Sequence, residues 1–272
     1  LSKHYKVHKT LGNKNNQIGL PLTLVDLDQQ DFSVIEIGTN FPGEISFLSK
    51  KVRPHVALIT NAHNSHLKGL ANVESVAEEK GDIIDSLDGQ GSIVLPSDSP
   101  FFDYWKKRSK GLNLVTFGKK KSSTLRISYI SREINKRRIF FGVESKNFHL
   151  DCNIKTIGEH NVLNTVAALA ACYALGLDVN ECIDQLENCI FPDRRLELKN
   201  YKKGGLLIDD SYNSNPESMK NLISSISDES NKKVLIAGEM LELGNKANEF
   251  HKDICSFASG KIDYLFCIGE LW

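Results

Sequence analysis

Net charge is what the chain most plainly does without, since Lys+Arg and Asp+Glu both total 34 among its 272 residues. That balance excludes a general attraction to nucleic acid or an anionic membrane, so any such role needs a local patch. The two candidates, Lys119–Lys121 and Lys136–Arg138, are short and flanked by strand-like sequence, as on the solvated face of a hairpin. No apolar run approaches the roughly 20 residues that span a bilayer, and no signal-peptide pattern is visible. The six cysteines form no CxxC pair and mostly fall in apolar patterns, the usage of reduced core thiols in a cytosolic protein. No GxGxxG follows a strand-like run, so a dehydrogenase-type dinucleotide site has little support. Internal repeats and low-complexity segments are absent as well.

With 40% hydrophobic and 25% charged residues, the length predicts two domains. The segment around which the rest is arranged is Phe32–Asn40, FSVIEIGTN, which reads as a strand buried on both faces of a parallel sheet. Glu36 interrupts it, and a buried carboxylate is either a structural ion-pair partner or a site residue. Helix patterns at Ile18–Leu27, Glu44–Val52 and Val73–Leu87 alternate with strand patterns at His55–Thr60 and Gly91–Leu95. This is the signature of a doubly wound, mostly parallel α/β sheet, whose sites lie beyond the carboxyl ends of its strands. From Leu112 to Ile154 short alternating runs predict an appended antiparallel meander. Helices follow at His160–Leu175 and Val179–Asn188. A second series, with strands at Leu206–Asp209, Lys233–Ala237 and Tyr264–Ile268, predicts a partial Rossmann-like domain. The boundary falls near Phe191–Tyr201, giving domains 1–192 and 193–272. The chain starts on Leu1 rather than Met and stops after three strands of the second series, so both ends read as cuts.

Several polar clusters sit where such folds keep their chemistry. Gly12–Gln17, GNKNNQ, is a loop with the Gly/Asn content for positive φ, either an amide-lined ligand contact or a plain surface turn. His63 and His66 follow the second strand, as ligands for metal or phosphate or as surface imidazoles. Lys80 lies among Glu78, Glu79 and Asp82, a cluster that helix-surface pairing explains. His160 and Asn161 open the alanine-rich helix, where anions or ordinary caps are found. The densest group is Asp209–Met219, DDSYNSNPESM, where two aspartates run into a turn suited to a ribose or a substrate.

In this order, GNKNNQIGLPLTL, VIEIGTN, TNAHNSHL, EEKGDI, GEHNVLN, RRLE, DDSYNSNPESM and GEMLELG resemble the Mur ligases, ATP-dependent amide-forming enzymes of peptidoglycan synthesis. Within the family the match is strongest to the branch joining UDP-N-acetylmuramoyl-tripeptide to D-alanyl-D-alanine. The resemblance implies that Glu36 and His66 bind Mg2+ and that a carbamylated Lys80 does so too, these three being the catalytic set. It implies that Asn161 and Arg195 contact ATP and Asp210 the ribose, while Asn15, Asn16, Tyr212, Asn213, Asn215 and Glu242 face the substrates. The implied reaction phosphorylates the peptide carboxylate to an acyl phosphate, which the dipeptide amine attacks with loss of phosphate. A cytoplasmic monomer is the implied setting.

The pattern departs from the family at several points. The Gly-rich loop ending in Gly-Lys-Thr is missing, because Gly118–Lys121 has neither the second glycine nor the Ser/Thr. Arg194 replaces a glycine, Glu239 stands for the usual Asp, and NAHNSH is an unusual loop. The resemblance therefore implies a fragment, lacking intrinsic activity, of an active parent. Its rivals are another member of the Mur and folylpolyglutamate synthase superfamily and a non-catalytic nucleotide-binding module.

Overall fold

In the computed structural model, which describes residues 1–63, 67–133, 137–189, 191–202 and 204–272, strands and helices alternate as the periodicity predicts. The first stretch holds β1 (Val7–Lys9), α1 (Gly19–Val25), β2 (Phe32–Val34), α2 (Glu44–Val52) and β3 (Val56–Leu58). Next come α3 (Leu67–Leu70), α4 (Val73–Gly81), a 3-10 turn (Asp82–Leu87), β4 (Ser92–Pro96), α5 (Phe102–Arg108) and β5 (Asn113–Gly118). The meander is β6 (Leu125–Glu133), β7 (Arg138–Glu144) and β8 (His149–Ile154), followed by α6 (His160–Ala174) and α7 (Asn180–Leu186). The last stretch has β9 (Glu197–Asn200), β10 (Leu206–Asp209), α8 (Pro216–Ile226), β11 (Val234–Gly238), α9 (Ala247–Ala258) and β12 (Tyr264–Ile268).

Strands β3 to β8 form one six-stranded sheet in sequence order, parallel from β3 to β6 and antiparallel from β6 to β8. All five residues of β4 are buried. Successive strand side chains point to opposite faces, so Ile93 and Leu95 pack with Val76 and Trp105 while Val94 packs with Val162 and Val166. Helices thus clad the parallel part on both sides. Trp105 also donates its indole N–H to the Ala77 carbonyl at 2.8 Å, which ties α5 to α4. A Cβ on Gly81 would come within 2.9 Å of the Arg108 guanidinium and 3.1 Å of Trp105, so the glycine lets both side chains pack closely on the end of the helix. Arg108 is in turn salt-bridged to Asp82 at 2.9 Å and Asp85 at 2.8 Å.

Three expectations change. The strand at Phe32–Asn40 covers only Phe32–Val34 and pairs in parallel with β1 in a separate two-stranded sheet. Val34 is 52% exposed, and Glu36 is exposed as well. The run VTFG belongs to β5, parallel to β4, so the antiparallel meander starts only at β6. The second series is also split, since β10 forms an antiparallel hairpin with β9 and only β11 and β12 pair in parallel. Met219, Ile223, Leu235, Ala237, Met240 and Ile254 form a small core there. The cysteines are all free, but only Cys152 is fully buried, and Cys189 and Cys267 are exposed.

Candidate functional site

The GNKNNQ loop lies directly against the run after β2. Asn15 donates its amide to the Glu36 carboxylate at 2.7 Å, and the Asn15 carbonyl accepts Gly38 N–H at 2.8 Å. A Cβ on Gly38 would come within 2.9 Å of the Asn15 side chain, so the glycine permits this close approach. Asn16 instead turns inward and accepts the N–H groups of Ile18 and Gly19 at 3.1 and 2.8 Å, which starts α1. Of residues 12–17 only Gly12 has positive φ, since these side-chain bonds shape the loop without strain. Glu36 is therefore a solvent-facing carboxylate held by a neutral amide, which rules out the buried ion pair.

Lys80 sits in the last turn of α4 and donates to the Asn61 carbonyl at 2.9 Å. Burial holds its ammonium below the ordinary lysine value. His63 lies close enough to feel both Lys80 and Glu217 of α8. Its value is lowered by burial, raised by Glu217 and lowered again by Lys80. His66, the expected third metal residue, lies outside the described residues. Among the described residues no three His, Cys, Asp or Glu side chains gather into a metal cage.

Glu79 is not part of a surface charge cluster, being only 4% exposed. Its carboxylate accepts Gly43 N–H at 2.6 Å and Ile45 N–H at 2.8 Å, and lies 3.2 Å from the Thr39 hydroxyl, whose one proton also faces the Phe41 carbonyl at 3.0 Å. The sequence pattern holds a signal for this, because Glu79 falls one turn beyond Val76 on the inward face of α4.

A second group forms where the two halves of the chain meet. The Arg195 guanidinium lies over the Tyr212 ring, 4.3 Å from its centre. Asp210 accepts Leu196 N–H at 3.0 Å, and Tyr212 N–H reaches the Arg194 carbonyl at 3.1 Å. Burial raises the Asp210 carboxyl above its ordinary value, with the Leu196 amide and Arg195 opposing. Asp209 faces outward to Lys199 and Ser211. A Cβ on Gly158 would strike both His160 and Leu196 at 2.5 Å, so the GEHN and RRLE segments converge at that glycine. Burial pushes the His160 imidazole below the ordinary histidine range. Asn161 is buried and donates to Thr156 at 3.0 Å.

The remaining candidates have local roles or local surroundings. Asn215 caps α8 in a reciprocal pair with Ser218, and Asn213 accepts Ser214 N–H at 2.8 Å. Glu242 has φ 63°, and its carbonyl accepts Lys68 N–H at 3.2 Å, which seats the GEMLELG loop against α3. The structure thus gathers Arg195, Asp210 and Tyr212, links Asn15 to Glu36, and sets Lys80 near His63.

Comparison with known proteins gives a consistent picture. The Mur ligase middle domain matches residues 1–172, and the "Mur ligase, glutamate ligase domain" matches residues 194–271. The UDP-N-acetylmuramoyl-tripeptide--D-alanyl-D-alanine ligase of Bacillus subtilis is 34% identical over 276 residues, taking in 100% of this chain and 58% of the relative. The same-named protein of Escherichia coli is 28% identical, over 96% of this chain and 58% of its own length. A crystal structure of MurF from Acinetobacter baumannii superposes with TM-score 0.94 at 28% identity, covering 100% of this chain and 59% of that one. A MurF ligase from Thermotoga maritima in complex with ADP gives TM-score 0.87 at 26% identity, covering 98% of this chain and 61% of that one. The chain thus spans about 58% of the length of the curated relatives it matches.

Proposed function

Since the chain belongs to the Mur ligase family, we propose that it carries the nucleotide and amine-acceptor machinery of an ATP-dependent ligase. That ligase joins UDP-N-acetylmuramoyl-tripeptide to D-alanyl-D-alanine in peptidoglycan synthesis. The observation that carries the proposal is the cluster of Arg195, Asp210 and Tyr212 beside the start of α6, where the segments around Gly158 and Leu196 converge. A guanidinium stacked on an aromatic ring is a fixed cation for a phosphate, and an adjacent carboxylate is the partner a ribose hydroxyl requires. His160, kept neutral by burial, presents a hydrogen-bonding edge and no competing charge.

Glu36 and Lys80 are the residues that would hold Mg2+. The donor chemistry fits on one condition: an ammonium cannot ligate a cation, but burial favours the neutral amine of Lys80, which adds CO2 with loss of a proton to become an anionic carbamate. When bound, the ion supplies charge neutralisation for the transferring phosphoryl group. Asn15 then orients the Glu36 carboxylate, and the GEMLELG loop borders the amine substrate. The setting is a monomer in the cytoplasm. Among the described residues no helix is long and apolar enough to cross a membrane.

The test is an assay of the complete gene product with ATP and Mg2+. Phosphate release is expected only when the tripeptide nucleotide and D-alanyl-D-alanine are both present. Equal turnover with single amino acids or unrelated dipeptides overturns the assignment.

A further inference from the structure

Glu79 has a role that simple capping does not account for. Helix α2 begins at Gly43, whose lack of a side chain leaves the first turn without a local cap. Glu79 supplies one from 34 or more positions away, taking Gly43 and Ile45 N–H. It also reaches past the helix to the Thr39 hydroxyl, three residues after Glu36. The intervening loop is bound again by Glu44, which accepts Asn40 and Phe41 N–H at 2.6 and 2.9 Å. Gly69 presses on the same loop, since a Cβ there would overlap the Asn40 carbonyl at 1.9 Å. On the other side of α4, Gly81 is locked under Trp105 and Arg108. Lys80 lies between these two anchors.

We propose that Glu79 is a positioning residue that clamps the 39–45 loop onto α4 and so sets Glu36 and Lys80 relative to one another. This rests on the assignment of Glu36 and Lys80 as the ligands of the divalent cation. A buried carboxylate with two backbone N–H donors and a hydroxyl beside it is rigid, because each bond it loses leaves a buried polar group unpaired. Movement of α4 is thereby transmitted to the chain that follows Glu36.

The complete gene product, equilibrated with 13C-bicarbonate, reports the coupling through the carbamate carbon signal of Lys80 titrated with MgCl2. Glu79→Gln keeps the shape but sets an amide N–H against N–H donors. It should shift the Mg2+ midpoint of that signal about tenfold higher, as for other supports of a metal ligand, and lower the melting temperature because a buried donor is left unpaired. Glu78→Gln, on the exposed neighbour, should leave the midpoint unchanged. Thr39→Val, which removes only the hydroxyl and leaves both N–H bonds to Glu79 in place, separates positioning from stability by a smaller shift of the midpoint in the same direction. A wild type with a Mg2+-dependent carbamate that neither variant moves overturns the clamp alone. A wild type with no carbamate overturns the assignment of Lys80 and the clamp with it.

Discussion

Strand β4 and the pair β11–β12 are built from similar apolar residues and end in opposite circumstances. SIVLP is buried at every position, between α4 and α5 on one face and α6 on the other. VLIAG buries only Leu235 and Ala237, while Val234 and Ile236 are 53% and 67% exposed, and Phe266 and Ile268 beside them 57% and 63%. Hydrophobic content alone therefore does not place a strand in a two-sided core. A strand is buried twice only where the chain supplies a helix to each face. The same lesson applies to Glu36, whose strand pairs with β1 and leaves Val34 exposed.

The comparison is most sharply broken at Trp105, which is fully buried on the clad side. Trp105→Ala removes that bulk and the bond to Ala77, at an expected cost of about 3–5 kcal/mol. Urea unfolding followed by circular dichroism measures it. A cost below about 1 kcal/mol would mean that the two sheets are equally loosely packed.

How far the sequence could be read follows the same division. The longer elements were legible because periodicity reports them, down to α2 at Glu44–Val52, whereas the short β1, α3, α5 and β9 carry too few residues to show a period. The resemblance named Arg195, Asp210 and Tyr212 for separate contacts, and it is the structure that puts them side by side. What was not legible depends on partners distant in sequence. Glu79 reads as one more surface acid until its partners in residues 39–45 are known. Glu36 reads as buried because an apolar run says nothing about which elements flank it. The capping duties of Asn16 and Asn215 use the same side-chain chemistry that makes an Asn-rich loop look like a binding loop.

An intermediate effect is expected from two carboxylates whose surroundings act in opposite directions. Glu159, at the start of α6, is lowered: burial opposes its ionisation, but the bonds and charge of Arg132 and the charge of Lys119 outweigh it. Its folded value lies below the ordinary 4.5, so its contribution to stability is present above that pH and lost as pH falls through the folded value. Glu159→Gln should flatten the acid limb of the stability curve. Asp210 is raised by burial, so its contribution is present below the ordinary 3.8 and lost as pH rises through the folded value. Asp210→Asn should therefore stabilise the protein near neutral pH, as expected of a residue placed for a ligand and not for the fold. Thermal melts across pH 3–8 check both signs, and a loss of stability near neutrality for Asp210→Asn would assign that carboxylate to the fold.

The smallest effect belongs to the bare sheet and is the most telling about it. Ile236 and Phe266 are directly opposite in the parallel register of β11 and β12, both on the uncovered face. Their side chains leave little water behind on folding, so Ile236→Gln and Phe266→Thr should each change the unfolding free energy by no more than about 0.5 kcal/mol. The same pair should lower self-association measured by light scattering, because a contiguous exposed apolar patch is what drives it. Unfolding in urea separates the two quantities. A loss as large as that of Trp105→Ala would show that in solution this face is covered like that of β4, and the contrast between the two sheets would disappear.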